Sequence, residues 1–347
     1  HLCDRRQRQM CIRDSEYVIN NQIINKKMNT HIKTKKVMKS VNQIRFVALM
    51  AAAATLFGGC EKESDNTVDN TPVAARITST IDDMATRAVN TAWTAGDAIG
   101  VSGKSGEKPY VNVKYVTTAG RGEFTAVNDA GKDNNIYFQN KNDVTFTAYY
   151  PYDGANGTDP GTNGVIAKTI TADDQSAEKQ PQIDFLFATA TGSSAKPDVK
   201  FQFRHCMSRL VLNFLPGDDI ASLSDLKYTI SGLALEGTFN AGTGETRKTA
   251  TGNLTLSVSN NASAMSSTLI VFPQQASGAD ISITMNGVDY TGTIDFPENV
   301  ANNNLHELLT GYSYTYNIKV NNTTLTIEKA IINAWTEDSK KDVDVWG

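Results

Sequence analysis

The strongest constraint on this chain is a period of two in its apolar residues. In VKFQFR (199–204) and in YSYTYNIKV (312–320), apolar or aromatic residues alternate with polar ones. Such alternation predicts strands with one buried face, because neighbouring side chains of a strand point to opposite faces of its sheet. The stretches 144–150 and 210–214 show the same pattern, and no long amphipathic helix is evident. The sequence therefore predicts an all-β protein.

Turn residues separate these predicted strands. Clusters of Gly, Asn and Asp, such as DGANGTDPGTNG (153–164), supply the positive φ angles that tight turns need. Many short strands with frequent turns are typical of sandwiches and barrels, and the chain of 347 residues has room for two β-sandwich domains in series. We place these domains at 73–198 and 199–347, with the boundary at 192–199. We expect five apolar residues beyond it to be buried: Phe201, Phe203, Leu210, Leu212 and Phe214.

A targeting signal is predicted near the start. Basic residues precede the apolar run FVALMAAAATLF (46–57), which is too short to span a bilayer and is followed by small residues. We therefore interpret 38–59 as a signal peptide. The stretch HLCDRRQRQMCIRDS (1–15) has neither a start methionine nor any periodicity, and it resembles translated adapter sequence. We expect residues 1–37 to be a non-native or untranslated leader, with translation starting at Met28 or Met38.

The motif Gly58-Gly59-Cys60 resembles a bacterial lipobox, in which the cysteine is acylated and becomes the first residue of the mature protein. A chance cysteine beside an ordinary cleavage site is the alternative. Residues 60–72 are polar and predict a disordered tether between a lipid anchor and the fold. The acidic residues just after Cys60 resemble a surface-export signal, and a solvated linker explains the same charges.

The remaining chemistry-bearing residues predict no enzyme. Cys206 is the cysteine left for the folded part, so we expect no disulfide framework and a buried thiol. His205 and Cys206 are neighbours in a predicted strand and point to opposite faces, which argues against a catalytic dyad. The spacing of His, Cys and acidic residues predicts neither a metal site nor a cofactor. The net charge of −4, without a basic block on a predicted strand, argues against nucleic acid binding.

Six motifs in order resemble the fimbrillin-like lipoprotein family of gut and oral anaerobes. They are WTAGDAIGV (93–101), FTAYYPY (146–152), DFLFA (184–188), VKFQFRHCMSRL (199–210), LIVFPQ (269–274) and INAW (332–335). The resemblance implies two transthyretin-like β-sandwich domains. It also implies a structural or accessory subunit of a type V pilus (fimbria), with other fimbrial subunits as partners, located in the cell outer membrane at the surface or in a fimbrium.

The resemblance further implies processing after an arginine, which removes the first strand and lets a strand of a neighbouring subunit take its place. Here Arg87 precedes Ala88, behind the predicted strand Ala75–Ile81. An uncut first strand would fill its own groove and keep the precursor monomeric. Arg76 and Arg121 are weaker alternatives, and Arg87 as an ordinary exposed arginine is another.

Two further features leave alternatives open. The alternating C-terminal stretch SKKDVDVWG (339–347) is interpreted as a donor segment or as a frayed last strand. Trp93, Tyr149, Tyr150 and Tyr152 would suit a platform for a glycan or host ligand, although aromatic residues of β-sandwiches usually belong to the core. A surface adhesin or glycan-binding lipoprotein that does not polymerise is therefore the alternative function.

Overall fold

The computed structural model describes residues 72–81, 92–218, 220, 222–258 and 265–335, all of them within the unit Asn70–Gly347. Its first strands are β1 (Val73–Ala74), β2 (Arg76–Ile81), β3 (Ala98–Ser105), β4 (Lys108–Val116), β5 (Glu123–Ala126), β6 (Tyr137–Phe138), β7 (Val144–Tyr150), β8 (Val165–Thr169), β9 (Leu186–Gly192), β10 (Asp198–His205) and β11 (Ser208–Pro216). The remaining strands are β12 (Leu226–Asn240), β13 (Thr246–Val258), β14 (Met265–Val271), β15 (Gln274–Gln275), β16 (Gly278–Met285), β17 (Val288–Asp295), β18 (Glu298–Asn299), β19 (Leu305–Leu308), β20 (Tyr312–Val320), β21 (Leu325–Ile327) and β22 (Ile331–Ala334). The helices of the described part are single 3-10 turns at Asp173–Gln175, Gln180–Gln182 and Val300–Asn302.

Seven strands form a closed sheet in the order β10-β2-β5-β4-β3-β7-β9, with β9 paired back to β10. The alternation in β10 places Val199, Phe201 and Phe203 inside this sheet, while the polar residues between them are exposed. They join a first hydrophobic core whose members include Ile77, Ile99, Val101, Tyr115, Phe124, Ile136, Phe146 and Leu186. The period of two thus determines which side of each strand faces the core.

Two five-stranded sheets surround a second core. One has the order β14-β11-β20-β21, with β22 also paired to β20, and the other has the order β13-β12-β16-β17, with β8 also paired to β12. Both sheets contribute large buried side chains, among them Leu212, Phe214, Tyr228, Ile230, Phe239, Ile283, Tyr314 and Tyr316. Two sheets that bury their apolar faces against a shared core form a sandwich.

The hairpin between β16 and β17 shows how a local sequence fixes a strand pair. Asn286 and Gly287 both have positive φ, 51° and 76°, and Met285 pairs with Val288 on either side of them. A two-residue loop with left-handed conformations at both positions matches the twist of the strands it joins, and Asn-Gly is the sequence that favours it. This turn sets the register of both strands.

The prediction of an all-β protein is confirmed, as is burial of the five apolar residues from Phe201 to Phe214. Cys206 is also buried, as expected. The domain limits 73–198 and 199–347 stay a prediction. Strand β10 belongs to the closed sheet, whereas β8 pairs with β12 of the sandwich. Within the described ranges, no helix has the length and apolar character to cross a membrane.

Candidate functional site at the first strand

Strand β2 closes the seven-stranded sheet by bridging two strands that are remote from it in sequence. It pairs in parallel with β10 over six residues, from Arg76 opposite Asp198 to Ile81 opposite Phe203. On its other side it pairs with β5 through only two residues, Ile77 and Thr78. Removing β2 would therefore leave β5 and β10 with unpaired backbone groups, which are templates for another strand.

The inward face of β2 is small and only partly apolar. Ile77, Ser79 and Ile81 are buried, with 3%, 7% and 8% of their surface exposed. They lie beside Val199, Phe201 and Phe203 of β10, which share the same face of the sheet. We call the space between β5 and β10 the β2 groove, with Phe124 of β5 as its further apolar wall.

Ser79 is a poor filler of this groove. Its side-chain oxygen is buried and has no hydrogen-bond partner within the described part of the chain. The backbone at the same position is well bound, because the Ser79 amide donates to the Gly122 carbonyl at 2.7 Å. A buried hydroxyl without a partner costs about 1–3 kcal/mol. Ser79 therefore makes β2 bind its groove less tightly than an apolar residue at this position would.

Gly122 permits the close approach of β2 to the loop before β5. Its φ is +83°, and a Cβ built on it would lie 2.2 Å from the Ser79 carbonyl oxygen. Any larger residue would force the two backbones apart. Two more hydrogen bonds of 2.8 Å hold the start of the strand, from the Ala75 amide to the Ile136 carbonyl and from the Arg76 amide to the Pro197 carbonyl.

One exposed ion pair marks the start of β2. The Arg76 guanidinium donates to the Asp198 carboxylate at 2.5 Å, and this hydrogen bond holds the pKa of Asp198 below its usual range. The pair adds little stability because both side chains are solvated. Its two residues face each other at the first position of the parallel ladder.

Trp93 closes the sheet at the other end of β2. Its ring makes edge contacts with Phe124, Tyr150 and Phe203 at centroid distances of 5.1–5.4 Å. A cavity of about 360 Å³ lies beside it, lined by Ile81, Ala92, Asp97, Asp184 and other residues. Ile81 and Ala92 both line this cavity, and they are the described residues that flank 82–91.

The predicted site residues themselves fall outside the described residues. These are Cys60 for lipidation, and Arg87 and Ala88 for processing. The C-terminal stretch 339–347 lies outside them as well. Of the alternative cleavage positions, Arg76 is part of β2, and Arg121 is exposed between β4 and β5.

The aromatic residues considered for a ligand platform belong mainly to the cores. Trp93, Tyr149 and Tyr150 are buried, and the Tyr149 hydroxyl donates to the Asn112 side chain at 2.8 Å. Tyr152 is half-buried beneath the Lys114 ammonium group, 5.0 Å from the ring centroid. The usual placement of such residues in β-sandwiches is therefore the one observed here.

Sequence reasoning missed a buried polar pair where the two cores meet. The His205 ring lies 3.0 Å from the Asp184 carboxylate through Nδ1 and stacks on Trp335. Cys206, next in sequence, is fully buried. No group of three His, Cys, Asp or Glu side chains in the described ranges is placed to hold a metal ion. Asp184, His205 and Trp335 are too far apart in the sequence for a local pattern to predict their contact.

Comparisons with known proteins agree with this architecture. A family model described as fimbrillin-like matches residues 86–335. A candidate fimbrium subunit of Bacteroides uniformis, Fim1C, is 32% identical over 212 residues, which cover 58% of this chain and 66% of that protein. The match therefore spans slightly less than two thirds of that relative.

Two solved structures resemble the fold over most of its length. A candidate cell adhesion protein from Bacteroides ovatus is 37% identical, with a TM-score of 0.67 over 76% of this chain and 98% of its own. Another from Bacteroides uniformis is 24% identical, with a TM-score of 0.58 over 76% and 99%, which supports the fold alone. The family match covers more than half of the sequence, and the chain belongs to the fimbrillin-like family.

Proposed function

We propose that this protein is a structural or accessory subunit of a surface fimbrium, and that it assembles by strand exchange in the β2 groove. Family membership and the fimbrium subunit among its relatives support the subunit role. The same membership agrees with the prediction that the chain is not an enzyme. Other fimbrial subunits are then its partners, and the cell surface is its location.

The observation that carries the proposal is the placement of β2. It is the one strand whose loss opens the closed sheet between β5 and β10, and it precedes the segment that contains Arg87. Burial of Ile77 and Ile81 contributes roughly 1.5–3 kcal/mol each, and each backbone hydrogen bond adds about 0.5–1.5 kcal/mol. Since whole domains are stable by only about 5–15 kcal/mol, a subunit without β2 needs another strand in its place.

Cleavage after Arg87 is the proposed trigger. A cut there would separate β2 from the rest of the chain, and Ala88 would become the new N-terminus. A cut after Arg76 would fall inside a paired strand, next to the bond with Asp198. A cut after Arg121 would separate β4 from β5 without releasing β2 alone. Of the three arginines, Arg87 is the one whose cleavage frees the whole strand.

An arginine-specific protease tests this mechanism. Treatment of the full chain should trim it to Ala88 and produce higher-order species on size-exclusion chromatography. The Arg87→Ala variant should resist both changes, and Arg121→Ala should behave like the wild type. A peptide spanning Ala75–Ile81 should compete for the opened groove and suppress assembly. Trimmed protein that stays monomeric at high concentration would rule out strand exchange in the β2 groove.

We also propose that Cys60 carries the lipid that holds the precursor at the outer membrane. The basic residues, the short apolar run and the Gly-Gly-Cys ending support this assignment. Each buried methylene of an acyl chain contributes about 0.8 kcal/mol, so a multiply acylated cysteine would anchor the chain durably. Cys60→Ala should release the protein from membranes and abolish incorporation of labelled palmitate. Unchanged membrane association together with no palmitate in the wild type would refute the assignment.

Binding of a host ligand or glycan by an uncut monomer is the alternative function. Because Trp93, Tyr149 and Tyr150 are core residues, the aromatic platform that motivated it is not exposed. Saturable binding of a glycan to the Arg87→Ala variant would nevertheless favour this alternative over the fimbrial one.

A further inference from the structure

Strand β14 is an aggregation hazard on sequence grounds. Its residues, MSSTLIV, carry no charge and no proline, and the last four are rich in β-branched and aliphatic side chains. It lies at the end of its sheet and pairs only with β11 among the described strands. An uncharged edge strand of this kind is a template for pairing with a second copy of itself.

The Gln175 side chain covers the middle of this edge. Its Nε2 donates to the Ile270 carbonyl at 2.9 Å, and its Oε1 accepts from the Ile270 amide at 2.9 Å. A primary amide offers one donor and one acceptor, as a backbone peptide does. Gln175 therefore makes the two bonds that a neighbouring strand would make to Ile270.

The side chain of Gln180 binds the same edge of β14 two residues earlier, at Thr268. Its Nε2 donates to the Thr268 carbonyl at 2.7 Å and to the Gln175 carbonyl at 3.2 Å. Thr268 and Ile270 are two residues apart, which is the spacing of the outward-facing backbone groups on an edge strand. Both glutamines are buried, with 7% and 5% of their surface exposed.

The segment that carries both glutamines is held by its own contacts. The Asp174 carboxylate accepts from the Thr171 amide at 2.8 Å and from the Thr171 hydroxyl at 2.7 Å. The Lys179 ammonium pairs with Asp173 across the two 3-10 turns. The Gln180 amide donates to the Ser176 carbonyl at 2.9 Å. These bonds hold the backbone of the segment, from which the side chains of Gln175 and Gln180 extend to β14.

We propose that the edge of β14 is a latent self-association surface, kept closed by the side chains of Gln175 and Gln180. With the cover removed, the partner is β14 of a second copy, because this strand contains no charge that would repel itself. The cover thereby confines strand addition to other edges of the molecule. The inference does not depend on the proposed function, since it concerns a different sheet and the uncut chain.

Hydrogen exchange of the full uncut chain tests the cover directly. In Gln175→Ala the Ile270 amide loses its acceptor, so its exchange should accelerate about tenfold. The amide of Leu269, the adjacent residue on the strand, should keep its wild-type rate. Gln182→Ala removes an exposed glutamine from the same segment and is the matched control. Unchanged exchange at Ile270 would overturn the proposal.

Sedimentation measures the consequence. The variant with both Gln175→Ala and Gln180→Ala should self-associate at concentrations at which wild type and Gln182→Ala are monomeric. Adding Ser266→Lys at the exposed start of β14 should restore the monomer by charge repulsion. A folded double variant that stays monomeric, or whose association survives Ser266→Lys, would refute the proposal.

A milder variant covers the case in which the double variant does not fold. Gln175→Glu keeps the size of the side chain and the acceptor for the Ile270 amide, but it has no N–H to donate to the Ile270 carbonyl. It should associate more than Gln182→Ala at the same concentration. Equal behaviour of Gln175→Glu and Gln182→Ala would count against the cover.

Discussion

The rings of His205 and Trp335 stack with their centroids 4.0 Å apart and their planes within 5° of parallel. His205 ends β10 of the closed sheet, and Trp335 follows β22 of the sandwich. The Arg209 guanidinium lies 5.0 Å from the Trp335 ring centroid, and the Trp335 amide donates to the Gly311 carbonyl at 2.7 Å. One side chain thus ties the end of the described chain to both cores.

Trp335→Ala should destabilise the protein by about 3–5 kcal/mol, the usual cost of removing a large buried aromatic side chain. Trp335 is 1% exposed, whereas Ile331 in the neighbouring strand β22 is 50% exposed. Ile331→Ala should therefore stay within about 0.5 kcal/mol of wild type and serves as the control. Urea denaturation measures both free energies of unfolding, and equal losses would show that Trp335 does not anchor β22.

Gly122→Ala should loosen β2 more than its backbone angle alone explains. Gly131 has a similar φ of +74°, but a Cβ there meets nothing within 4 Å, whereas at Gly122 it would meet the Ser79 carbonyl oxygen. Gly131→Ala should cost about 1 kcal/mol from backbone strain. Gly122→Ala should cost clearly more and speed exchange of the Ser79 amide. Equal effects of the two variants would mean that β2 does not approach Gly122 closely.

The chain should lose stability in alkali because its tyrosines are buried. Burial raises the pKa of Tyr115 and Tyr228 to about 12, and it also raises the pKa of Tyr149, Tyr150, Tyr314 and Tyr316. The folded state therefore keeps these protons at a pH where the unfolded chain, with tyrosines near pKa 10, loses them. The contribution to stability is complete below pH about 10 and is lost as the pH rises toward about 12.

Urea denaturation at several pH values, with tyrosinate absorbance as a second signal, checks this dependence. The free energy of unfolding should fall between pH about 10 and about 12, and most tyrosinate should form together with unfolding. Stability that does not change over this range would contradict the inferred burial of the phenol groups.

The sequence predicted the strands well because alternation is a local property. The inward residues of β10 follow from a few neighbouring positions. The pairing of Arg76 with Asp198 is different, since 122 positions separate the two residues and no local pattern encodes their contact. Closure of the first sheet depends on the pairing of β2 with β10, in which these two residues face each other. For this reason, alternation alone predicted sheets but not their order.

The candidate site was predictable in part for the same reason. The stretch Ala75–Ile81 was recognisable as a strand, and it contains β2. The poor fit of Ser79 was not, because the partners of a hydroxyl depend on the fold around it. The role of Gln175 and Gln180 was hidden as well, since polar residues in a turn-rich stretch predict a loop rather than a substitute for a strand.

Ser79→Ala should stabilise the uncut precursor. The substitution removes a buried hydroxyl that lacks a partner in the described residues, and its backbone bond to Gly122 is kept. We expect a gain of about 1 kcal/mol. Thr80 lies on the outward side of the same strand and is half-buried, so Thr80→Ala should be near neutral. Urea denaturation of the Arg87→Ala background measures both effects without interference from cleavage.

The same change should slow strand exchange whether it is made in the competing peptide or in the precursor, because both strands would then bind the groove more tightly. A peptide spanning Ala75–Ile81 with alanine in place of Ser79 should compete for the opened β2 groove about five times better than the native peptide, since about 1 kcal/mol corresponds to that factor. A precursor with Ser79→Ala should release its trimmed strand more slowly. If the two peptides compete equally, the buried hydroxyl of Ser79 carries no cost in the β2 groove.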